Sequence, residues 1–370
     1  MGAFEKAHGK LGFGCMRLPL NADSSVDLEE FSLMVDEYLR AGFNYFDTAH
    51  GYLGGESEKA LYECLVKRYP REKYLIANKL SSWLFEKEED IVPLFYEQLR
   101  VCGVEYFDYY LMHAQNRQNY TKCKAENAYN VVRELKKQGK IKHFGISFHD
   151  KAEFLEELIL ENPDIEFVQL QFNYFDYEND NVQARLCYEV AEKYGKEVIV
   201  MEPVRGGSLV NLVPDADLML RSLAGGSNAS YAIRFAAGFK NVKMVLSGMS
   251  TIEQMRDNLS YMKDFKPLSD KELETVFRVA EIIRSKMLIP CTSCAYCVEE
   301  CPVGIKIPNI FALINREEMF NCSEIKSYEA ITKKSHAASE CIECGACEAV
   351  CPQEIKVREF LLLAKSRFEK

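Results

Sequence analysis

LEEFSLMVDEYLRAGFNYFD, residues 28–47, carries a helix signature followed directly by a strand signature. Residues 28–40 place Phe31, Met34, Val35 and Tyr38 on one stripe, the i, i+3, i+4, i+7 spacing of an amphipathic helix. Residues 44–46 are a short apolar run of strand length. The alternation continues outward. Strands are predicted at 74–77, 107–112, 142–146, 167–170, 198–201 and 244–246. Helices are predicted between them at 56–68, 91–101, 127–137, 151–161, 182–194 and 227–237. Sustained alternation of this kind builds a parallel sheet covered by helices. Counting one weaker second strand, about eight units fall within some 250 residues, which suits a (β/α)8 TIM barrel. Periodicity alone is also compatible with a doubly wound open sheet. Two more helical stretches follow at 252–262 and 270–286, the second closing the barrel domain at 1–286. A glycine-rich insert at 206–226 follows a strand, as a phosphate-binding segment, a lid or a plain surface loop would.

The last quarter reads differently. Cys291, Cys294, Cys297 and Cys301 precede Pro302; Cys341, Cys344, Cys347 and Cys351 precede Pro352. Each run is C-x2-C-x2-C-x3-C-P, the spacing that binds [4Fe–4S] clusters in two-cluster ferredoxins. Three thiolates three residues apart converge from one tight loop, and the fourth lies too far along to close the same cube easily. Structural zinc sites instead pair C-x2–4-C with a long gap, which does not describe a run of four. Residues 287–370 are therefore expected to form a small α+β ferredoxin-like domain with two [4Fe–4S] clusters and a helical spacer between the runs. By the ferredoxin pattern, the fourth cysteine of each run ligates the other run's cluster.

The chain has 370 residues and a net charge of −10. It has no Lys/Arg run, which argues against nucleic acid and anionic membrane surfaces as partners. No apolar run has the length to span a bilayer, and the start, MGAFEKAHGK, lacks the apolar core of a secretory signal. Six further cysteines (Cys15, Cys64, Cys102, Cys123, Cys187, Cys322) are scattered. They suit buried thiols in a reducing cytoplasm better than a disulfide framework.

Four polar residues stand at or just past consecutive predicted strand ends: Asp47 and Tyr52 in FDTAHGYLGGESE, Lys79 in IANKL, and His113 in YLMHA. In a barrel this is the rim where active sites are built. A Tyr near a Lys and an Asp suits a general acid, the plainer reading of Tyr52 being simple packing. The ammonium is expected to lower the phenol from about 10, and the carboxylate to hold the Lys charged. His113 is placed to orient a substrate carbonyl.

On these residues the sequence resembles the aldo-keto reductases, from LGFGCMRLP at 11–19 to LSGMSTIEQMRDNL at 246–259, with DTAHGYLGGESE as the most specific piece. The resemblance implies that Asp47, Tyr52, Lys79 and His113 are a catalytic tetrad with Tyr52 as proton donor. It implies that Ser147 and Gln169 hold a nicotinamide carboxamide. It also implies that Gly248, Met249, Ser250, Gln254 and Asn258 meet the adenosine and its phosphate, and that Trp83 lines the substrate pocket. Cofactors so implied are NADP(H) or NAD(H) with two [4Fe–4S] clusters, as in the family's iron–sulfur subgroup. The implied substrate is a small carbonyl or alcohol; the clusters leave room for a redox protein as partner. Two segments depart from the family. Met201 or Glu202 stands where an aromatic residue often stacks on the nicotinamide. Gly248 and Gln254 replace the Lys and Arg that clamp the 2′-phosphate, with Arg256 nearby. The competing reading is a nicotinamide-binding sensor or electron carrier. Nicotinamide moves two electrons as hydride while a cluster takes one, and no flavin signature bridges them.

Overall fold

The computed structural model describes residues 2–291, 293, 295–320 and 323–369. The chain divides into two compact units, Met1–Val210 with Leu223–Val276, and Asn211–Ser222 with Phe277–Lys370.

In the first unit eight parallel strands close on themselves in chain order. They are β1 (Leu11–Gly14), β2 (Tyr45–Asp47), β3 (Leu75–Leu80), β4 (Phe107–Gln115), β5 (Ile141–Phe148), β6 (Phe167–Gln171), β7 (Glu197–Met201) and β8 (Val242–Ser247). Closure between β1 and β8 decides for the barrel over the open sheet. β1 is not among the predicted runs. Its sequence, LGFG, is half glycine and too short to show a period. The helices between strands are α1 (Leu28–Arg40), α2 (Glu56–Leu61), α3 (Glu88–Cys102), α4 (Arg117–Ala125), α5 (Ala128–Lys137), α6 (Ala152–Glu161) and α7 (Ala184–Lys193). α2 continues as a π turn over Tyr62–Val66. α4, also absent from the prediction, is polar and buries only Tyr120 and Cys123, so it carries no apolar stripe to read.

The opening stretch shows how the local code works. Asp27 caps α1, its side chain accepting from the Glu30 amide at 2.9 Å. The predicted stripe, Phe31, Met34, Val35 and Tyr38, is the buried face, each large side chain contributing about 1.5–3 kcal/mol on burial. The Tyr38 hydroxyl lies 2.7 Å from the Leu11 carbonyl and 2.9 Å from the Tyr45 carbonyl, tying the helix to β1 and β2.

Alternation along the strands decides what faces the barrel axis. The bottom is filled by Tyr45, Leu75, Ala77, Tyr109, Leu111, Phe167, Ile199, Met244 and Leu246, plugged by Phe4 from the N-terminal segment. Gly145 makes this packing possible, because a Cβ there would lie 2.5 Å from the Phe167 ring. Two residues further along the same strands, the inward positions turn polar. Asp47 follows Tyr45, Lys79 follows Ala77, His113 follows Leu111 and Gln169 follows Phe167.

In the chain, α8 (Pro214–Arg221) and α9 (Asn228–Ala237) lie between β7 and β8. α10 (Ile252–Met262) and α11 (Asp270–Lys286) follow β8, and the division between units falls within α11. The 206–226 insert is thus partly helical, and its middle groups with the second unit.

The second unit continues with α12 (Tyr296–Glu299), α13 (Ile307–Phe320), α14 (Ile325–Thr332), α15 (Ala346–Ala349) and α16 (Val357–Phe368). α13 and α14 supply the expected helical spacer. Among the described residues its β pairing is an isolated parallel bridge, Ile305 to His336. The two cysteine runs repeat in structure: each leads into a short helix (α12, α15), and each is followed by a long one (α13, α16). Ile305, Ile307, Ile310, Phe311 and Ile314 pack with Ile355, Val357, Leu361, Ala364 and Phe368 into one core. Among the described residues, no helix is long and apolar enough to cross a membrane.

Candidate active site and cysteine pockets

The polar layer above the apolar bottom is where the predicted site residues meet. Lys79 is 1% exposed and Asp47 2%. Lys79 Nζ donates to Asp47 Oδ1 at 2.5 Å and to the Thr48 carbonyl at 2.8 Å. Its ammonium sits 4.7 Å from the centre of the Tyr52 ring. The Tyr52 and His113 rings are 5.9 Å apart, edge to face, and Trp83 lies 5.0 Å from His113 on the outer side. Trp83 is half exposed, which leaves its ring available to a substrate.

Electrostatics refine the sequence reading. Burial raises the Tyr52 phenol, outweighing the pull of Lys79. The expected lowering by the ammonium is therefore present but overruled, and the phenol keeps its proton at neutral pH. Burial also raises the Asp47 carboxyl against the attraction of Lys79. Burial works against the Lys79 charge, but Asp47 and Tyr52 together hold it above the ordinary lysine value. Burial, then Lys79, push the His113 imidazole well below its usual range, so it is neutral.

The loop bearing Tyr52 is held on both sides. His50 Nδ1 lies 2.6 Å from Glu58, which also accepts from Asn78 Nδ2 at 2.7 Å. Thr48 and Ser57 hydroxyls meet at 2.8 Å, and Ser57 donates to the Cys15 carbonyl at 2.8 Å. Between these anchors Leu53, Gly54 and Gly55 take left-handed φ of 53°, 65° and 93°. Two glycines make that turn affordable.

His113 sits at an irregularity. The register of β4 with β5 shifts between Met112 and Gln115, and Ala114 has φ 49°. Bulges beside active sites re-aim side chains. This one is held by Gln115 Nε2 donating to the His113 carbonyl at 2.9 Å and Asn119 Nδ2 to the Ala114 carbonyl at 2.7 Å.

Ser147 and Gln169 are register partners on β5 and β6. Both are buried, and Ser147 Oγ and Gln169 Oε1 have no hydrogen-bond partner. Unpaired buried polar atoms are costly unless something pairs with them. A carboxamide, with donor and acceptor on one carbon, fits the pair.

The segment after β8 is less uniform than expected. Ser250 N donates to Gln254 Oε1 at 2.8 Å, closing that turn. Met249 is buried. Asn258 is buried and spends its amide internally, Nδ2 on Ser247 Oγ at 2.6 Å and Oδ1 on the Tyr261 hydroxyl. Arg256 is taken by Glu37, at 3.0 and 2.6 Å. Gly248 is open, and a Cβ built on it would lie 3.3 Å from the stem of Arg17.

Arg17, Ser81 and His149 were not singled out from sequence. Arg17 is exposed and has no acidic partner among the described residues. His149 follows β5, its residue surface exposed while the surrounding protein crowds its imidazole. Burial and Lys79 lower its imidazole to about 4. Beyond β7, where an aromatic residue was absent, Glu202, Arg205, Gly206 and Gly207 all have positive φ. Asn173 Nδ2 holds the Glu202 carbonyl at 3.0 Å and Asp176 holds Arg205. Strain persists where surroundings over-determine it.

In the second unit the cysteines line two pockets. One is lined by Cys291, Cys297 and Cys351, with Pro308, Phe311 and Ile355. The other is lined by Cys301, Cys341, Cys344 and Cys347, with Ile305 and Arg358. Each pocket thus mixes cysteines of both runs. Cys294 lies outside the described residues, as does Cys322. Among the described residues no three candidate ligands gather closely enough for a single ion. The Cys291 and Cys341 sulfurs each accept from the amide two residues on, Ser293 and Glu343, both at 3.4 Å.

A parallel barrel with its polar constellation at the strand C-terminal ends defines an enzyme-type (β/α)8 barrel. Residues 10–281 match the Aldo/keto reductase family, and residues 290–355 match the 4Fe-4S dicluster domain. The chain belongs to the aldo/keto reductase family and carries a C-terminal 4Fe-4S domain of that type. It is 30% identical over 138 residues to Protein REDOX 2 of Catharanthus roseus, covering 32% of this chain and 42% of that one. It is 29% identical over 191 residues to the NADH-specific methylglyoxal reductase of Escherichia coli (strain K12), covering 47% of this chain and 56% of that one. The chain thus spans about half the length of these curated relatives. An aldo-keto reductase from Klebsiella pneumoniae in complex with NADPH superposes with a TM-score of 0.58 at 18% identity, covering 73% of this chain and 90% of that one. That likeness bears on the fold.

Proposed function

We infer that the chain transfers hydride between a nicotinamide dinucleotide and a small carbonyl or alcohol, with Tyr52 as the proton donor. The observation that carries this reading is the convergence of Tyr52, Lys79, Asp47 and His113 beside the unpaired Ser147 Oγ and Gln169 Oε1. A bound nicotinamide supplies the hydride. Ser147 and Gln169 would hold its carboxamide. His113, being neutral, binds the carbonyl oxygen without delivering a full charge. Tyr52 gives its proton to that oxygen as negative charge grows, and Lys79 stabilises the phenolate left behind. Asp47 keeps Lys79 charged and fixed. Names of relatives support the nicotinamide: one is NADH-specific, and a structural neighbour holds NADPH.

The second unit is proposed to hold two [4Fe–4S] clusters, one on Cys291, Cys294, Cys297 and Cys351 and the other on Cys341, Cys344, Cys347 and Cys301. The mixed lining of both pockets supports this crossing. Such clusters supply one-electron transfer.

Tyr52→Phe tests the assignment. Carbonyl reduction should fall by about 10²–10⁴-fold, the worth of a placed acid, while nicotinamide binding by fluorescence quenching stays intact. Near-normal turnover would remove Tyr52 from its role.

A further inference from the structure

The neutral imidazole of His113 has two tautomers, and only one can donate to a substrate carbonyl. Ser81, just past β3, is 1% exposed. Its hydroxyl lies 2.7 Å from His113 Nδ1. It makes no other side-chain hydrogen bond among the described residues. It also does not cap the short 3-10 turn Ser82–Leu84 that it precedes.

The hydroxyl has one proton. If His113 carried its own proton on Nδ1, Ser81 would accept and its buried O–H would point at nothing. A buried donor without a partner costs about 1–3 kcal/mol. If Nδ1 is bare, the Ser81 proton is satisfied and the His113 proton moves to Nε2. We propose that Ser81 is a positioning residue that sets the His113 tautomer, so that Nε2–H faces the bound carbonyl oxygen. A carbonyl oxygen is an acceptor, so the other tautomer would present it with a lone pair. The bulge at Met112–Gln115 fixes where the ring sits, and Ser81 fixes which nitrogen bears hydrogen. Because burial and Lys79 keep His113 neutral, the choice matters over the whole physiological range. No residue type at position 81 lacking a hydrogen-bond donor would do the same.

This inference rests on the carbonyl-binding role of His113 given above, but its direct test does not need turnover. In protein labelled with ¹⁵N-histidine, assigned by comparison with His113→Asn, the wild-type His113 should show a pyridine-like Nδ1 and a protonated Nε2. A protonated Nδ1 in the wild type overturns the proposal outright. Ser81→Ala should shift the signals toward a tautomer mixture and lower kcat/KM about 3- to 10-fold, the worth of one neutral hydrogen bond. Dinucleotide affinity should stay unchanged. Ser81→Thr, which keeps the hydroxyl, should restore both the spectrum and the rate. An unchanged spectrum in Ser81→Ala also overturns it. If instead Tyr52→Phe retains turnover while the tautomer is as stated, the functional reading fails and the tautomer assignment stands.

Discussion

Replacing Lys79 by Met isolates the buried ion pair. The thioether chain fills the lysine's space and removes its charge. Lys79 and Asp47 are 1% and 2% exposed and 2.5 Å apart. Removing one partner of such a pair costs about 3–5 kcal/mol, because the other stays buried and uncompensated. In a unit of this size about 1 kcal/mol moves the Tm by about 2–4 °C, so the midpoint should drop by about 6–20 °C. The variant acquires a pH dependence whose sign follows from Asp47. Burial already raises this carboxyl with Lys79 present; without Lys79 it rises further above its unfolded value of about 3.9. Above that pH the folded chain holds a proton the unfolded chain has lost. Stability relative to the wild type therefore falls as pH rises through the window, by up to about 1.4 kcal/mol per pH unit, until the folded value is passed. The assay is urea unfolding of the wild type, Lys79→Met, Asp47→Leu and the double variant, at pH 5 and pH 8. The double variant should be less destabilised than the sum of the singles, since it buries no charge. Costs that add to within about 0.5 kcal/mol, or a Lys79→Met penalty equal at both pH values, would refute the coupling.

Two further outcomes concern the bound groups. With the family's Lys and Arg replaced by Gly248 and Gln254, and Arg256 engaged by Glu37, affinities for NADH and NADPH should agree within about tenfold, less than one charge-assisted phosphate contact can supply. A thousandfold preference for NADPH in fluorescence titration would place an unrecognised cation at the 2′-phosphate, with Arg17 the first to test. Cys351 lines the pocket of the first run, so Cys351→Ser should remove the cluster built on Cys291, Cys294 and Cys297 and spare the other. Electron paramagnetic resonance of the reduced variant distinguishes them, and loss of the second-run signal alone would contradict the crossing.

The candidate tetrad stood out in sequence because Asp47, Lys79 and His113 lie at or near the ends of clear apolar runs and Tyr52 lies in the loop after one of them. Once the strands are counted, the rim is known. The cysteine runs were legible for a different reason, since their information lies wholly in local spacing. Ser81 was not legible. A serine beside another serine in KLSSW carries no pattern, and its role exists only because β3 and β4 are neighbours. α4 escaped because a polar helix has no stripe, and β1 because glycine supplies no period. Asn258 reads as a cofactor residue from its position, and only the structure shows its amide bonded to Ser247 and Tyr261.

What the sequence determined by itself is what short-range physics controls. Short apolar runs and a period near 3.6 placed the elements. Their count pointed to a barrel, and the thiol spacing called for iron–sulfur clusters. Tertiary structure decided everything that depends on competition between distant groups. Burial overruled Lys79 at the Tyr52 phenol, Glu37 claimed Arg256, and β5 and β6 aligned Ser147 with Gln169 so that two polar atoms stand buried and unpaired. Desolvation and pairing are sums over all neighbours in space, and a linear chain records only the neighbours in order.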